Sequence, residues 1–248
     1  MITHLDQIKE LLASCSEENR RELFGLLRRE FRIHAIETKL NVQAEVILEA
    51  ISRASDLTLR GIRGIIAEAA FLVNVVERLN GWKNITPPGD HPYDFLLSDG
   101  SGNMRVQVKM QRQKDQQPMM ANKGYKFLPP DMYVVETQRT RGGTDLKTGE
   151  NTRPYKFGDF DILAVSLHPS TNDWSKFLYT VCSWLVPRPE NEELLLKFQP
   201  VPNQSDENWT DDFLTCVSWL RSNQKKCIFS TDIKFLKTKK RRRKKRPR

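Results

Sequence analysis

Two short stretches of this chain carry polar residues that their apolar neighbours do not explain. One is Asp94 in His91-Pro92-Tyr93-Asp94-Phe95; the other is Gln107 with Lys109 in Val106-Gln107-Val108-Lys109. A carboxylate, an amide oxygen and an ammonium gathered at one point suit phosphodiester hydrolysis. A hard cation such as Mg²⁺ takes oxygen ligands and completes its shell with substrate phosphate oxygens. It polarises the phosphoryl group and can generate the attacking hydroxide, while a nearby lysine orients that water and steadies developing charge. In this reading Asp94 and Gln107 hold Mg²⁺, Gln107 through its side-chain oxygen, and Lys109 handles the water.

Those residues need particular elements to position them. Residues 104–110 alternate cleanly, with Val106, Val108 and Met110 on one face and Arg105, Gln107 and Lys109 on the other. Gln107 and Lys109, two apart on a strand, therefore project together. Residues 93–97 read as a partner strand, joined through Ser98-Asp99-Gly100-Ser101-Gly102-Asn103, a turn by composition. Upstream, the periodicity predicts a helix over residues 55–79, capped at Ser55 or Asp56 and closed by Asn80-Gly81. Glu68 lies in an otherwise apolar part of that helix, Gly64 to Phe71. A buried unpaired carboxylate is costly, so Glu68 needs a metal, a cation or a hydrogen bond; the edge of an amphipathic helix, or a pair with Arg63, is the alternative. Further strands are predicted at 82–86, 132–137, 160–167, 177–185 and 227–235, with a last helix at 212–220. The first 55 or so residues read as helices, Ser16 being the cap of the second. No glycine turn of helix-turn-helix spacing separates them, which favours a packing or dimerisation layer. The fold class is α/β (α+β, mixed sheet): an N-terminal helical region over 1–57, a core over 58–236, and a basic tail over 237–248.

Pro92-Tyr93-Asp94 and Gln107-Val108-Lys109 resemble the two motif halves of the PD-(D/E)XK nuclease superfamily, over roughly residues 60–185 in element order. Gln107 stands where the superfamily usually has an acid, though some of its restriction enzymes carry glutamine there. The resemblance implies a restriction-endonuclease-like core and a type II restriction endonuclease that hydrolyses both strands of DNA and leaves 5′-phosphate ends. It also implies that Glu68, on the helix before the hairpin, adds a carboxylate to the catalytic and metal site. Phe160-Asp161-Ile162-Leu163-Ala164-Val165 is similar to core strands of restriction endonucleases. A repair, recombination or nicking nuclease on the same scaffold is one alternative. A non-catalytic DNA-binding protein, with Gln107 marking a dead site, is another.

The segments 138–144 and 152–157 are rich in Arg, Lys, Thr and Gly, residue types that grip phosphates and read guanine edges. Arg139, Arg141, Arg153 and Lys156 are accordingly candidate DNA contacts, with Gln111, Arg112 and Lys114 just past the catalytic strand. A solvated loop is the plain alternative. Trp174, Phe177, Tyr179 and Trp184 read as core residues rather than stacking platforms. Asp232-Ile233-Lys234, after Asp211 and Asp212, is a rival motif, but it has no hairpin partner and no helix supplying an acid.

The charge of +9 needs dissection. Residues 237–248 hold ten Lys/Arg and no acid, leaving 30 basic and 31 acidic residues ahead of them. The surplus belongs to the tail, which can bind a polyanion by counterion release or remain a solvated end. The four cysteines form no CxxC pair and share no ligand spacing with the four histidines, so neither zinc nor a disulfide framework is expected. No leader-like or membrane-spanning stretch is read, and the expectation is a cytoplasmic protein. Double-stranded DNA is the expected partner. A homodimer would match a palindromic site.

Overall fold

The computed structural model describes residues 3–31, 34–139 and 153–229. Arg141, the rival Asp232-Ile233-Lys234 and the basic tail lie outside them. The chain divides into two compact units, residues 1–60 and 61–248.

The first unit holds helices α1 (His4–Ser14), α2 (Glu17–Glu30), α3 (Ala35–Leu40) and α4 (Ala44–Ser52), and the first turn of α5 (Asp56–Asn74). Thr3 and Asp6 close a capping box on α1, and Ser16 caps α2 through the Asn19 N–H, as its residue type predicts. Glu37 is buried, and its carboxylate accepts from the backbone N–H groups of His34 (2.8 Å) and Ala44 (2.9 Å). One acid thus satisfies donors at the starts of two short helices, where the dipole also favours its charge.

The second unit is built on a five-stranded mixed sheet of order β1 (Lys83–Asn84), β2 (Phe95–Ser98), β3 (Asn103–Met110), β7 (Ile162–Ser166) and β8 (Phe177–Val181). The β2–β3 hairpin is antiparallel, with Phe95 opposite Val106, and its turn places Gly100 at positive φ. β3 and β7 run parallel, with Gln107 opposite Leu163 and Lys109 opposite Val165. Every residue of β7 is buried, as expected of a strand covered on both faces. Between β3 and β7 lie the small hairpin β4 (Gln113–Lys114) and β5 (Gln117–Pro118), then α6 (Ala121–Gly124) and β6 (Tyr133–Glu136). After β7 come α7 (His168–Thr171), and after β8 the hairpin of β9 (Pro187–Arg188) and β10 (Asn191–Leu195). β11 (Phe198–Val201) pairs antiparallel with β6, and α8 (Phe213–Arg221) is the last element.

Phe71 of α5 is completely buried against the sheet, in a ring cluster with Phe95 (5.3 Å), Phe177 (5.6 Å), Phe213 (6.0 Å) and Tyr179 (6.3 Å). This contact fixes the helix that carries Glu68 against the hairpin that carries Asp94. Phe71→Ala should therefore destabilise the protein by about 3–5 kcal/mol, through lost burial plus the cavity left behind. Urea denaturation measures it, and a loss below about 1 kcal/mol would mean the helix is held elsewhere.

Several sequence expectations needed correction. α5 stops at Asn74 rather than near residue 79 and continues only as a 3₁₀ turn, Val76–Arg78, before Gly81 turns the chain at positive φ. β8 gives way at Cys182–Trp184 to another 3₁₀ turn. β11 went unpredicted because Pro200 reads as a strand breaker, yet only the face toward β6 is paired there. Residues 227–229 are not a strand. Phe177, Tyr179 and Trp184 are core, as their types suggest, while Trp174 is partly buried and stacks on His168 at 3.8 Å.

Candidate active site

Asp94 precedes β2 and closes the end of the hairpin: its N–H donates to the Val106 carbonyl at 3.0 Å. Two residues further along β3 the β2 ladder has ended, and the Val108 N–H donates instead to Asp94 Oδ2 at 2.7 Å. The same oxygen accepts a short hydrogen bond from Gln107 Nε2. The carboxylate thus replaces a missing strand residue, which explains why an acid stands at a strand end among apolar side chains.

Gln107 is buried, and its Oε1 accepts from the Tyr155 hydroxyl at 3.0 Å. The sequence reading gives that oxygen to the metal; here it faces the tyrosine, and the NH₂ group faces the acid. An ionised carboxylate only accepts hydrogen bonds, so an amide bonded directly to it must present its NH₂ group.

Lys109 projects to the same side, with Nζ 5.6 Å from the centre of the Tyr155 ring. Burial pushes its ammonium below the ordinary lysine value, against the opposing pull of Asp94, Glu68 and Glu136. Asp94 is raised by burial, while Lys109 and the donors from Val108 and Gln107 hold it down. Glu68 on α5 is pushed up to about 7, first by burial and then by repulsion from Asp94, with Lys109 opposing. The four predicted residues therefore share one electrostatic neighbourhood.

The donor set suits a hard divalent cation. Two partly buried carboxylates repel each other, and the Gln107 amide lies against Asp94 with its nitrogen toward the acid and its oxygen toward Tyr155. Among the described residues no three His, Cys, Asp or Glu side chains gather as a metal cluster. A cation here would have two acids and at most one neutral protein ligand, and would need substrate oxygens to complete its shell. A carboxylate ligates only when ionised, so a cation held by Glu68 should bind more tightly as pH climbs through about 7, and calcium titrations at pH 6 and 8 that agree would exclude Glu68 as a ligand.

The same shift sets a stability effect of definite sign. The folded-state pKa lies above the reference 4.5, so the stabilising contribution is full below about 4.5 and is lost as pH rises through about 7. With chelator at about pH 8, Glu68→Gln should be more stable than the parent by about 1–2 kcal/mol, after discounting for solvent screening of a half-buried group. Equal urea midpoints at that pH would show that Glu68 is not strained by its surroundings.

The predicted DNA contacts divide. Gln111 is completely buried; its Oε1 accepts from Ser170 at 2.7 Å and it faces no surface that a duplex could reach. Its N–H still donates to the Ser166 carbonyl of β7 at 3.1 Å, and at the next residue the chain turns to β6, where the Arg112 N–H meets the Val134 carbonyl at 2.7 Å. Arg112 is ion-paired with Glu136 at 2.6 Å, and Lys197 approaches the other oxygen of that acid at 3.3 Å. Lys114 is exposed on the β4–β5 hairpin. Arg139 lies 5.8 Å from the Tyr155 ring on the site's own side of the fold, and its Nε is buried without a hydrogen-bond partner. Arg153 and Lys156 are exposed on either side of Tyr155.

Sequence reasoning missed Tyr155 and Glu136. Tyr155 reads there as one more residue of a basic loop, and the separation of 48 positions from Gln107 leaves no periodic signal.

No protein-family profile and no curated protein sequence matches this chain. Among solved structures, it is similar to a bacterial homing endonuclease, I-Ssp6803I, at 20% identity over 62% of this chain and 83% of that one, with a TM-score of 0.34. At that score the two folds coincide only in part. Among the described residues no helix is long and apolar enough to cross a membrane.

Proposed function

We propose that this chain is a divalent-metal-dependent endonuclease of double-stranded DNA, of the type II restriction kind. The observation that carries the reading is the meeting of Asp94, Gln107, Lys109 and Glu68 at the end of the β2–β3 hairpin. Asp94, Glu68 and the Gln107 carbonyl oxygen would hold the cation. When bound, Mg²⁺ would supply Lewis-acid polarisation of the phosphate and a water of lowered pKa. Lys109, depressed by burial, donates a hydrogen bond to the attacking water or the charged phosphate and exchanges a proton more readily than a solvated lysine would. Asp94 and its Val108 donor fix where the phosphate must sit relative to β3.

Arg139, Arg153, Lys156 and Lys114 would grip the backbone of the duplex, with Arg153 and Lys156 close to the Tyr155 side of the site. A two-fold dimer would place one such site on each strand of a palindrome.

Digestion of plasmid and phage DNA by the purified protein, with Mg²⁺ and with chelator, tests this. Discrete fragments with Mg²⁺ alone are the expected result. Cleavage confined to branched duplexes would favour a repair nuclease, and metal-indifferent binding without cuts would remove the enzyme reading.

A further inference from the structure

In the proposed metal site the Gln107 amide presents its nitrogen, not its oxygen, to Asp94. Its Nε2 donates to Asp94 Oδ2 and, at 3.2 Å, to the Val108 carbonyl, while its Oε1 accepts from Tyr155. A protonated amide nitrogen cannot ligate a metal ion. Ligation requires the amide to reverse, bringing Oε1 toward Asp94 and Nε2 toward Tyr155. Gln107 is only 1% exposed, so either orientation must be satisfied by protein groups, because an orphaned buried amide costs heavily.

Tyr155 is suited to both states. A phenol hydroxyl can donate to Oε1 or, by turning its hydrogen away, accept from Nε2. The ring is itself held: it is 3% exposed, packs edge-on against Phe160 at 5.4 Å, and is flanked by Lys109 and Arg139 at 5.6 and 5.8 Å. Its backbone carbonyl accepts from the Leu195 N–H at 2.9 Å. The oxygen that meets Gln107 therefore stays in place while its hydrogen moves. Burial and the nearby acids push the phenol's pKa up, keeping it neutral.

We infer that Tyr155 is the positioning residue of a two-state metal ligand: its hydroxyl donates to Gln107 Oε1 in the arrangement seen here and accepts from Nε2 once a divalent cation draws the amide oxygen toward Asp94. This rests on the proposed metal site. A carboxylate at position 107 would not need this device, since it has no donor end to reverse.

Calcium, a hard cation that can occupy such a site without the need for turnover, is the probe. Its binding is measured by calorimetry, and the state of the phenol is read from the tyrosine Fermi doublet in the Raman spectrum, whose intensity ratio rises when a phenol changes from donor to acceptor. The difference between the parent protein and Tyr155→Phe isolates the signal of Tyr155. Calcium should raise that ratio in the parent. In Gln107→Glu calcium should still bind but leave the ratio unchanged. Binding that Asp94→Asn abolishes, with no change in the doublet, would overturn the reversal while leaving the metal site standing. A doublet change in Gln107→Glu equal to the parent's would also overturn it. Absence of calcium binding to the parent would remove both the reversal and the metal site beneath it.

Discussion

Lys109→Met should lower the rate of duplex cleavage by about a thousandfold or more while leaving duplex binding within a few-fold of the parent. Methionine keeps an unbranched stem to pack beside Tyr155 and removes only the ammonium, so folding should survive. The size of the effect follows from the surroundings. The amine is buried, beside Asp94 and Glu68, in a setting where a hydrogen bond to developing charge is far stronger than in water. An Arg at this position should not rescue, because a guanidinium does not give up its proton and cannot enter the same space. Single-turnover cleavage of a labelled duplex, paired with a gel-shift titration in chelator, separates rate from binding. A Lys109→Met protein that cuts at the parent rate would move the chemistry elsewhere in the chain.

Asp94→Asn should have a comparable effect by a different route. Asparagine can still accept from the Val108 N–H and from Gln107 through its own oxygen, so the hairpin end remains closed. What disappears is the charge. Loss of a ligating carboxylate should weaken divalent-cation affinity by more than the 10–100-fold typical of changes to outer-shell partners. Cleavage should fall at least as far, and raising Mg²⁺ should recover part of it. Calorimetric titration with calcium supplies the affinity. Parent-like affinity would mean that Asp94 is a structural acid bonded to backbone and nothing more.

Much of this site was legible from local pattern. The alternation from Met104 to Met110 gives β3, the Ser-Asp-Gly-Ser-Gly-Asn run gives its turn, and an acid stranded in apolar surroundings marks both Asp94 and Glu68. Each is a signal within one element or between two neighbours. Tyr155 could not be read in this way, because its role depends on a parallel pairing of β3 and β7 and on the crossover that carries it back over β3. Gln111 was misplaced for a related reason: a position just past the catalytic strand suggests a surface residue, whereas here it is bonded to Ser166 of β7, bridged to Val135 of β6 and completely buried. The ion pairs of Glu136 with Arg112 and Lys197 join three segments distant in sequence, so nothing in composition marked Arg112 as already engaged.

The proposed convergence of Asp94, Glu68 and Gln107 on one cation can be tested without any cleavage assay. Ferrous ion loaded in place of Mg²⁺, with ascorbate and peroxide, releases hydroxyl radicals that cut the peptide chain close to where the metal sits. The expected fragments end near residues 68, 94 and 107, fade with excess Mg²⁺, and vanish in Asp94→Asn. Breaks at other positions, or the same pattern in that variant, would contradict the site described for this protein.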